Sequence, residues 1–126
     1  MLRTLRVNYH FDACHMLNRS ECTKEANEAT YGACNGLHGH RWNVKLEICG
    51  DVTEAGWVVN FKDVKQCIDK YDHAYLNDLV EVIPTAENLA EIILNDLMAL
   101  GSFKYVKVSI FETPDCEVEV DSRNGY

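Results

Sequence analysis

Two runs of alternating side chains constrain the fold of this 126-residue chain more than any other feature of its sequence. In the first run, apolar residues occupy every second position from Leu5 to Ala13, with mostly polar residues between them. The second run has the same pattern from Trp42 to Ile48. Because successive side chains of a strand point to opposite faces, each run predicts a β-strand with one buried face and one solvent face.

Histidines lie at the ends of these two runs, in phase with the apolar faces. His15 follows the first run, and His38 and His40 precede the second. If the strands pair antiparallel, the three imidazoles meet at one end of the sheet, where they suit Zn²⁺ and leave a fourth position open. Alone, His15 fits a hydrogen-bonded histidine at the core edge, and all three could merely cap the sheet. Their shared face favours the metal site.

The composition indicates an ordinary globular chain, with 47% hydrophobic and 25% charged residues, and its length predicts one domain over residues 1–126. A net charge of −8 disfavours binding to nucleic acid or to anionic membranes, so we expect a small-molecule substrate or a protein partner. The sequence has no apolar run near about 18 residues and no secretory leader. We therefore expect a cytoplasmic protein.

Six cysteines are spread along the chain: Cys14, Cys22, Cys34, Cys49, Cys67 and Cys116. Without a leader for secretion, we expect reduced thiols, most of them small buried side chains. No Cys-x-x-Cys pair occurs, which disfavours a redox centre. Irregular spacing also disfavours a structural zinc site built from Cys14, Cys22, Cys34 and a histidine. Cys34 differs from the others because it closely precedes His38.

The rest of the chain predicts two helices and then two strands. The polar residues 16–33 predict a loop or a short helical excursion. Helical spacing of apolar residues predicts one helix after Asn60 and another after Thr85, both good N-caps. Alternation returns over 104–113 and 116–121. The order ββααββ indicates an α+β fold, with two helices on one face of a four-stranded antiparallel sheet.

Glu112 interrupts the apolar face of the third predicted strand, where it is in phase with Val108 and Ile110. Burying an unpaired carboxylate is costly, so we expect Glu112 to meet a donor. That donor could be a backbone cap, a histidine or a ligand.

Six short motifs occur in a fixed order along the chain. They are Phe11-x-Ala13-x-His15, Cys34-x3-His38-Gly39-His40, Trp57-Val58-Val59-Asn60-Phe61, Asp72-His73-x-x-Leu76-Asn77, Pro84-Thr85-Ala86-Glu87-Asn88 and Glu112-Thr113. Together they resemble the 6-pyruvoyltetrahydropterin synthase / 6-carboxytetrahydropterin synthase family across nearly the whole chain. The resemblance implies a tunnelling fold (T-fold), in which sheets of several copies join into a barrel. It also implies a homo-oligomer, usually a hexamer of two trimers, with active sites at subunit interfaces.

The resemblance also implies roles for individual residues. The zinc ligands match His15, His38 and His40. The catalytic groups, a proton-abstracting thiol, a carboxylate–imidazole pair and a pterin-binding carboxylate, match Cys34, Asp72, His73 and Glu112. The substrate contacts match Glu112, Thr113 and Thr85. By themselves, Asp72 and His73 would also fit an exposed ion pair at a helix end.

The activity implied by the resemblance is zinc-dependent conversion of 7,8-dihydroneopterin triphosphate to 6-carboxy-5,6,7,8-tetrahydropterin, acetaldehyde and triphosphate, in 7-deazapurine (queuosine-type) biosynthesis. The three residues between Cys34 and His38 match the carboxy branch, whereas the pyruvoyl branch typically has a longer spacer. Two alternatives stay open. One is a 6-pyruvoyltetrahydropterin synthase, which eliminates triphosphate without carbon–carbon cleavage, and the other is a zinc- and pterin-binding protein without turnover.

The chain departs from the family pattern in places. The segment between His15 and Cys34 is longer than in compact members and contains an additional thiol, Cys22. Asn60 stands where the family often has aspartate. No triphosphate-binding cluster is evident; the candidate cations are Arg19, Lys24, Arg41 and Arg123.

Overall fold

One long antiparallel strand pair forms the centre of the fold in the computed structural model, which describes residues 1–125. The elements in chain order are β1 (Leu2–His15), α1 (Lys24–Tyr31), β2 (His38–Asp51), α2 (Phe61–Asp69), β3 (Ala74–Tyr75), α3 (Leu76–Leu79), α4 (Ala86–Met98), β4 (Tyr105–Thr113) and β5 (Cys116–Asp121). A 3₁₀ turn, Gly32–Asn35, joins α1 to β2. The end of the predicted domain, at residue 126, lies outside the described residues.

The sheet has the strand order β3-β1-β2-β4-β5. All neighbours are antiparallel except β3, which runs parallel to the end of β1 and pairs Ala74 with Ala13. The predicted α+β class is confirmed, and the four predicted strands are β1, β2, β4 and β5. The described sheet is five-stranded and mixed because the chain after α2 adds the two residues of β3. A strand this short has no alternation from which it could be predicted.

The two predicted helices are α2 and α4, and both begin where the sequence indicates. The Asn60 side chain accepts the N–H of Lys62 at 2.9 Å, and Thr85 Oγ1 accepts the N–H of Asn88 at 3.2 Å. The structure adds two shorter helices. α1 lies within the segment expected to be a loop or helical excursion, and α3 is a single helical turn that directly follows β3. Within residues 1–125, none of the helices is long and apolar enough to cross a bilayer.

Three fully buried aromatic residues connect the helices to the sheet. The Phe11 ring stacks on Trp42 at a centroid distance of 5.9 Å and contacts Tyr71, which follows α2, at 5.6 Å. The indole N–H of Trp42 donates to the carbonyl of Ala13 at 3.3 Å, which satisfies its polar atom inside the core. Trp42 also packs against the imidazole of His15 with centroids 5.0 Å apart. The core therefore supplies a fixed apolar support beneath the histidines.

Candidate metal centre and active site

The pairing of β1 with β2 brings the three predicted histidines together. His15 lies opposite His38, and His40 lies opposite Ala13, two positions along the same face. Their ligand atoms all lie within 4.8 Å of one another. The cluster forms because the antiparallel register places the last residue of β1 against the first residue of β2. The predicted convergence of His15, His38 and His40 is confirmed.

Hydrogen bonds to backbone carbonyls orient two of the rings. His15 Nδ1 lies 2.8 Å from the carbonyl oxygen of Pro84, and His38 Nδ1 lies 2.7 Å from that of Gly36. A carbonyl only accepts hydrogen bonds, so each Nδ1 carries the proton and each Nε2 keeps a free lone pair. Metal-binding histidines commonly have this arrangement, in which the second ring nitrogen donates to a fixed acceptor.

The Nε2 atoms of His15, His38 and His40 are buried and have no hydrogen-bond partner among residues 1–125. Three buried unpaired acceptors in one cluster would be costly in an ordinary core, where polar atoms are almost always satisfied. A single cation would satisfy all three. Three imidazoles are a donor set that fits catalytic Zn²⁺, which keeps its fourth position for water or substrate.

The protonation of the cluster also suits a metal. Burial lowers the pKa of His15 and of His40 below the ordinary value of histidine, and the neighbouring His38 lowers both further. The carboxylate of Glu112 opposes this effect in both cases. At neutral pH the imidazoles of His15 and His40 are therefore neutral, which is the form that coordinates metals.

Glu112 extends from β4 to the edge of this cluster. Its Oε1 lies 3.7 Å from His40 Nε2, which is too long for a hydrogen bond. Of the donors expected from the sequence, a histidine lies next to Glu112 but forms no hydrogen bond with it. The half-buried carboxylate keeps its acceptor capacity beside the cluster.

Thr85 and Thr113 flank the same region. Thr85 caps α4 and follows Pro84, whose carbonyl orients His15. Thr113 ends β4, at an irregularity in the pairing with β5. Their roles as substrate contacts stay predictions.

Cys34 is partly exposed and lies in the 3₁₀ turn before β2. Its carbonyl accepts the N–H of Leu17 at 2.9 Å, so its backbone is tied to the chain two residues after His15. Gly36, the residue that follows this turn, presents its carbonyl to His38. The structure therefore links the backbone of Cys34 to both histidine-bearing strands.

Asp72 and His73 form a hydrogen-bonded pair, with His73 Nδ1 2.9 Å from Asp72 Oδ2. The pair is held against β1 because the Asp12 N–H donates to Asp72 Oδ1 and the His73 N–H donates to the Asp12 carbonyl. The hydrogen bond from the Asp12 N–H lowers the pKa of Asp72, and the hydrogen bond from His73 lowers it further. His73 has a φ of 57°, a left-handed conformation that non-glycine residues rarely adopt and that often marks functional sites.

The His73 imidazole points to solvent, with 83% of its side chain exposed. Within the described chain, neither Asp72 nor His73 bonds to Cys34 or to the three histidines. The histidines and Glu112 thus form one cluster, and the carboxylate–imidazole pair lies at the sheet edge without a bond to it, while His73 and His40 line the same open surface cavity.

One polar contact near the pair was missed from the sequence. Asp12 and Arg41 are cross-strand partners on the face opposite the histidines, and the guanidinium binds both carboxylate oxygens at 2.9 and 3.0 Å. The strand register, once fixed by the histidines, would have indicated it. The candidate triphosphate-binding cations are all in ion pairs: Arg41 with Asp12, Arg19 with Glu21, Lys24 with Glu28 and Arg123 with Asp121.

Comparison with known proteins assigns the chain to a family. A family model described as 6-pyruvoyl tetrahydropterin synthase matches residues 4–123. A putative 6-carboxy-5,6,7,8-tetrahydropterin synthase of Archaeoglobus fulgidus is 36% identical over 91 residues, covering 69% of this chain and 77% of that protein. The 6-pyruvoyl tetrahydrobiopterin synthase of Poecilia reticulata is 34% identical over 116 residues, covering 82% of this chain and 79% of its own.

A solved structure is similar over nearly the full length of both chains. The 6-pyruvoyl tetrahydropterin synthase of Caenorhabditis elegans has a TM-score of 0.78 at 27% identity, with 95% of each chain covered. The T-fold expected from the sequence motifs is thereby confirmed. With its sequence matched from residue 4 to residue 123, the chain belongs to the 6-pyruvoyl tetrahydropterin synthase family.

Proposed function

We propose that this protein is a zinc-dependent 6-carboxy-5,6,7,8-tetrahydropterin synthase that acts on 7,8-dihydroneopterin triphosphate. The observation that carries the proposal is the set of three buried, unpaired Nε2 atoms beside the carboxylate of Glu112. Relatives of this chain bear both the carboxy and the pyruvoyl name. The three-residue spacer between Cys34 and His38 favours the carboxy activity.

His15, His38 and His40 would hold the zinc ion through Nε2. When bound, zinc supplies a Lewis acid that polarises oxygens of the substrate side chain and makes the adjacent C–H bond more acidic. The protein's contribution is to keep the rings of His15 and His38 in the metal-binding tautomer and to exclude water beneath the cluster. Pro84, Gly36 and the aromatic core perform those tasks.

Glu112 would bind the pterin ring. An ionised carboxylate can accept two parallel N–H bonds from the guanidine-like edge of a pterin, and such charge-assisted pairs are strong and directional. This role accounts for an acidic residue in phase with core positions of β4. Thr113 and Thr85 would contribute further contacts to the substrate.

Cys34 would remove a proton from the substrate side chain, and in its thiolate form it is the basic species. His73 would take up a proton at Nε2 and return it to the substrate, because Asp72 accepts from Nδ1 and orients the ring. Triphosphate then leaves, and hydrolytic cleavage of the carbon–carbon bond releases acetaldehyde, with water supplying the second carboxyl oxygen and the aldehyde hydrogen.

The exposure of His73, which makes no bond to the histidine cluster within the described chain, supports a site completed by a second copy. The exposed His73 would enter the active site of a neighbouring subunit, in a cytoplasmic hexamer of two trimers with interface sites. The product would enter 7-deazapurine biosynthesis.

Product identification tests this function. Zinc-loaded protein is incubated with dihydroneopterin triphosphate, and the products are analysed by mass spectrometry. We expect 6-carboxytetrahydropterin, acetaldehyde and triphosphate. Triphosphate without acetaldehyde would support 6-pyruvoyltetrahydropterin synthesis instead.

A second experiment distinguishes the proposed enzyme from a protein that binds zinc and pterin without turnover. We expect Cys34→Ala to abolish turnover while zinc content and pterin affinity stay close to those of the unsubstituted protein. If the unsubstituted protein binds both zinc and pterin and yields no product, the enzymatic proposal is wrong.

A further inference from the structure

We propose that Asn77 is a positioning residue that sets the place of Cys34 relative to His15, by holding the backbone between them. The inference rests on the proposed role of Cys34 as the proton-abstracting thiol. Asn77 lies in α3 and bonds to neither of these side chains among the described contacts. Its influence would pass through Met16 and Leu17.

The chain leaves the sheet ladder after His15, so the next backbone groups need other partners. The Asn77 side chain provides a hydrogen-bond partner for the N–H and for the carbonyl of Met16. Its Oδ1 accepts the Met16 N–H at 2.9 Å, and its Nδ2 donates to the Met16 carbonyl at 2.8 Å. An amide side chain here substitutes for the backbone of a neighbouring strand.

Leu17 is held by the turn that carries Cys34. The Leu17 N–H donates to the Cys34 carbonyl at 2.9 Å, and the Leu17 carbonyl accepts from Asn35 Nδ2 at 2.9 Å. Consecutive residues of an extended chain direct their backbone polar groups to opposite sides. The segment is therefore fixed from one side by Asn77 and from the other by Cys34 and Asn35.

The histidine cluster has separate anchors. His15 is the ladder partner of His38, and its ring is fixed by the carbonyl of Pro84. Removing the Asn77 amide leaves these contacts intact and deprives both backbone groups of Met16 of their partners. Loss of Asn77 would therefore loosen the backbone connection to Cys34 and spare the metal centre.

Site-resolved alkylation of the full-length, zinc-loaded protein tests this inference. Iodoacetamide labelling is followed by mass spectrometry at about pH 9.5, above the ordinary cysteine pKa, so that the rate reports access more than ionisation. The exposed Cys116 is the internal reference. In Asn77→Ala we expect the Cys34 to Cys116 rate ratio to rise about fivefold or more, as local opening becomes easier.

Asn60→Ala is the matched control. It also removes an asparagine that bonds to the backbone, at the N-cap of α2, and we expect the rate ratio to stay within about twofold of the unsubstituted protein. An unchanged ratio in Asn77→Ala, or an equal rise in Asn60→Ala, would overturn the inference. If Asn77→Ala does not fold, Asn77→Asp serves instead. It keeps the acceptor for the Met16 N–H and loses the donor, so a smaller rise is expected and no rise contradicts the proposal.

Kinetic measurements separate this inference from the proposed function. In an active enzyme, Asn77→Ala should lower kcat with zinc content unchanged and KM little changed, because the thiol is displaced and the pterin contact at Glu112 is not. A raised alkylation ratio in a protein without turnover would refute the proposed function and leave the backbone connection supported. Turnover with an unchanged ratio would refute the positioning role alone.

Discussion

Replacing His40 with glutamine should remove most of the stabilisation that this protein gains from zinc. The reason is structural: His40 supplies one of three clustered Nε2 atoms, and glutamine cannot place an equivalent nitrogen there. His10 provides a matched control, because it lies on the neighbouring strand β1, is exposed and belongs to the opposite face. His10→Gln should keep the full zinc effect.

The size of the effect follows from linkage. A ligand that binds only the folded state stabilises it by about 2.7 kcal/mol at a free concentration about 100-fold above its Kd. An unfolding entropy near about 2.1 cal/mol/K per residue gives about 0.26 kcal/mol/K for a chain of 126 residues. Zinc should therefore raise Tm by about 10 °C, and by no more than about 2–3 °C in His40→Gln.

The assay is calorimetry at one protein concentration, with buffered free zinc and with a chelator. Protein concentration is held fixed because association also changes Tm. A zinc-independent Tm in the unsubstituted protein would refute the metal centre. So would an equal zinc shift in His40→Gln, since the ion would then be bound elsewhere.

Two further predictions concern the fold that supports the site. The Arg123 guanidinium binds Asp121, which is only 8% exposed, and lowers the pKa of that carboxyl to about 2. The ionised carboxylate therefore stabilises the folded protein at pH values above 3.8, the value in the unfolded chain, and this stabilisation is lost as the pH falls toward 2. Asp121→Asn should lower the free energy of unfolding by about 1–2 kcal/mol at pH 7 and by almost nothing near pH 2, as measured in urea titrations. Phe11 is fully buried against Trp42 and Tyr71, so Phe11→Ala should cost about 3–5 kcal/mol at neutral pH, and a loss below about 1 kcal/mol would contradict the packing.

The sequence was informative where periodicity and spacing fix geometry. Alternation from Leu5 to Ala13 and from Trp42 to Ile48 predicted β1 and β2, and the phase of His15 with His40 predicted the cluster of three histidines. The N-caps Asn60 and Thr85 predicted where α2 and α4 begin. The strand signals accumulate over many consecutive residues, and each N-cap acts on the backbone within its own helical turn.

The parts that could not be predicted depend on few residues or on distant contacts. β3 has only two residues, and α3 only four, so each spans about one period and shows no repeating pattern. The left-handed backbone of His73 is maintained by contacts to Asp12, which is far away in sequence. Contacts of asparagine amides with Met16 and Leu17 likewise exist only once the chain has folded.

The zinc X-ray absorption spectrum of reconstituted protein tests the central claim most directly. One zinc per chain is expected, with three imidazole nitrogens at about 2.0–2.1 Å and no sulfur ligand, because His15, His38 and His40 supply the coordinating atoms. Sulfur scattering at about 2.3 Å, or a protein that retains no stoichiometric zinc, would contradict it.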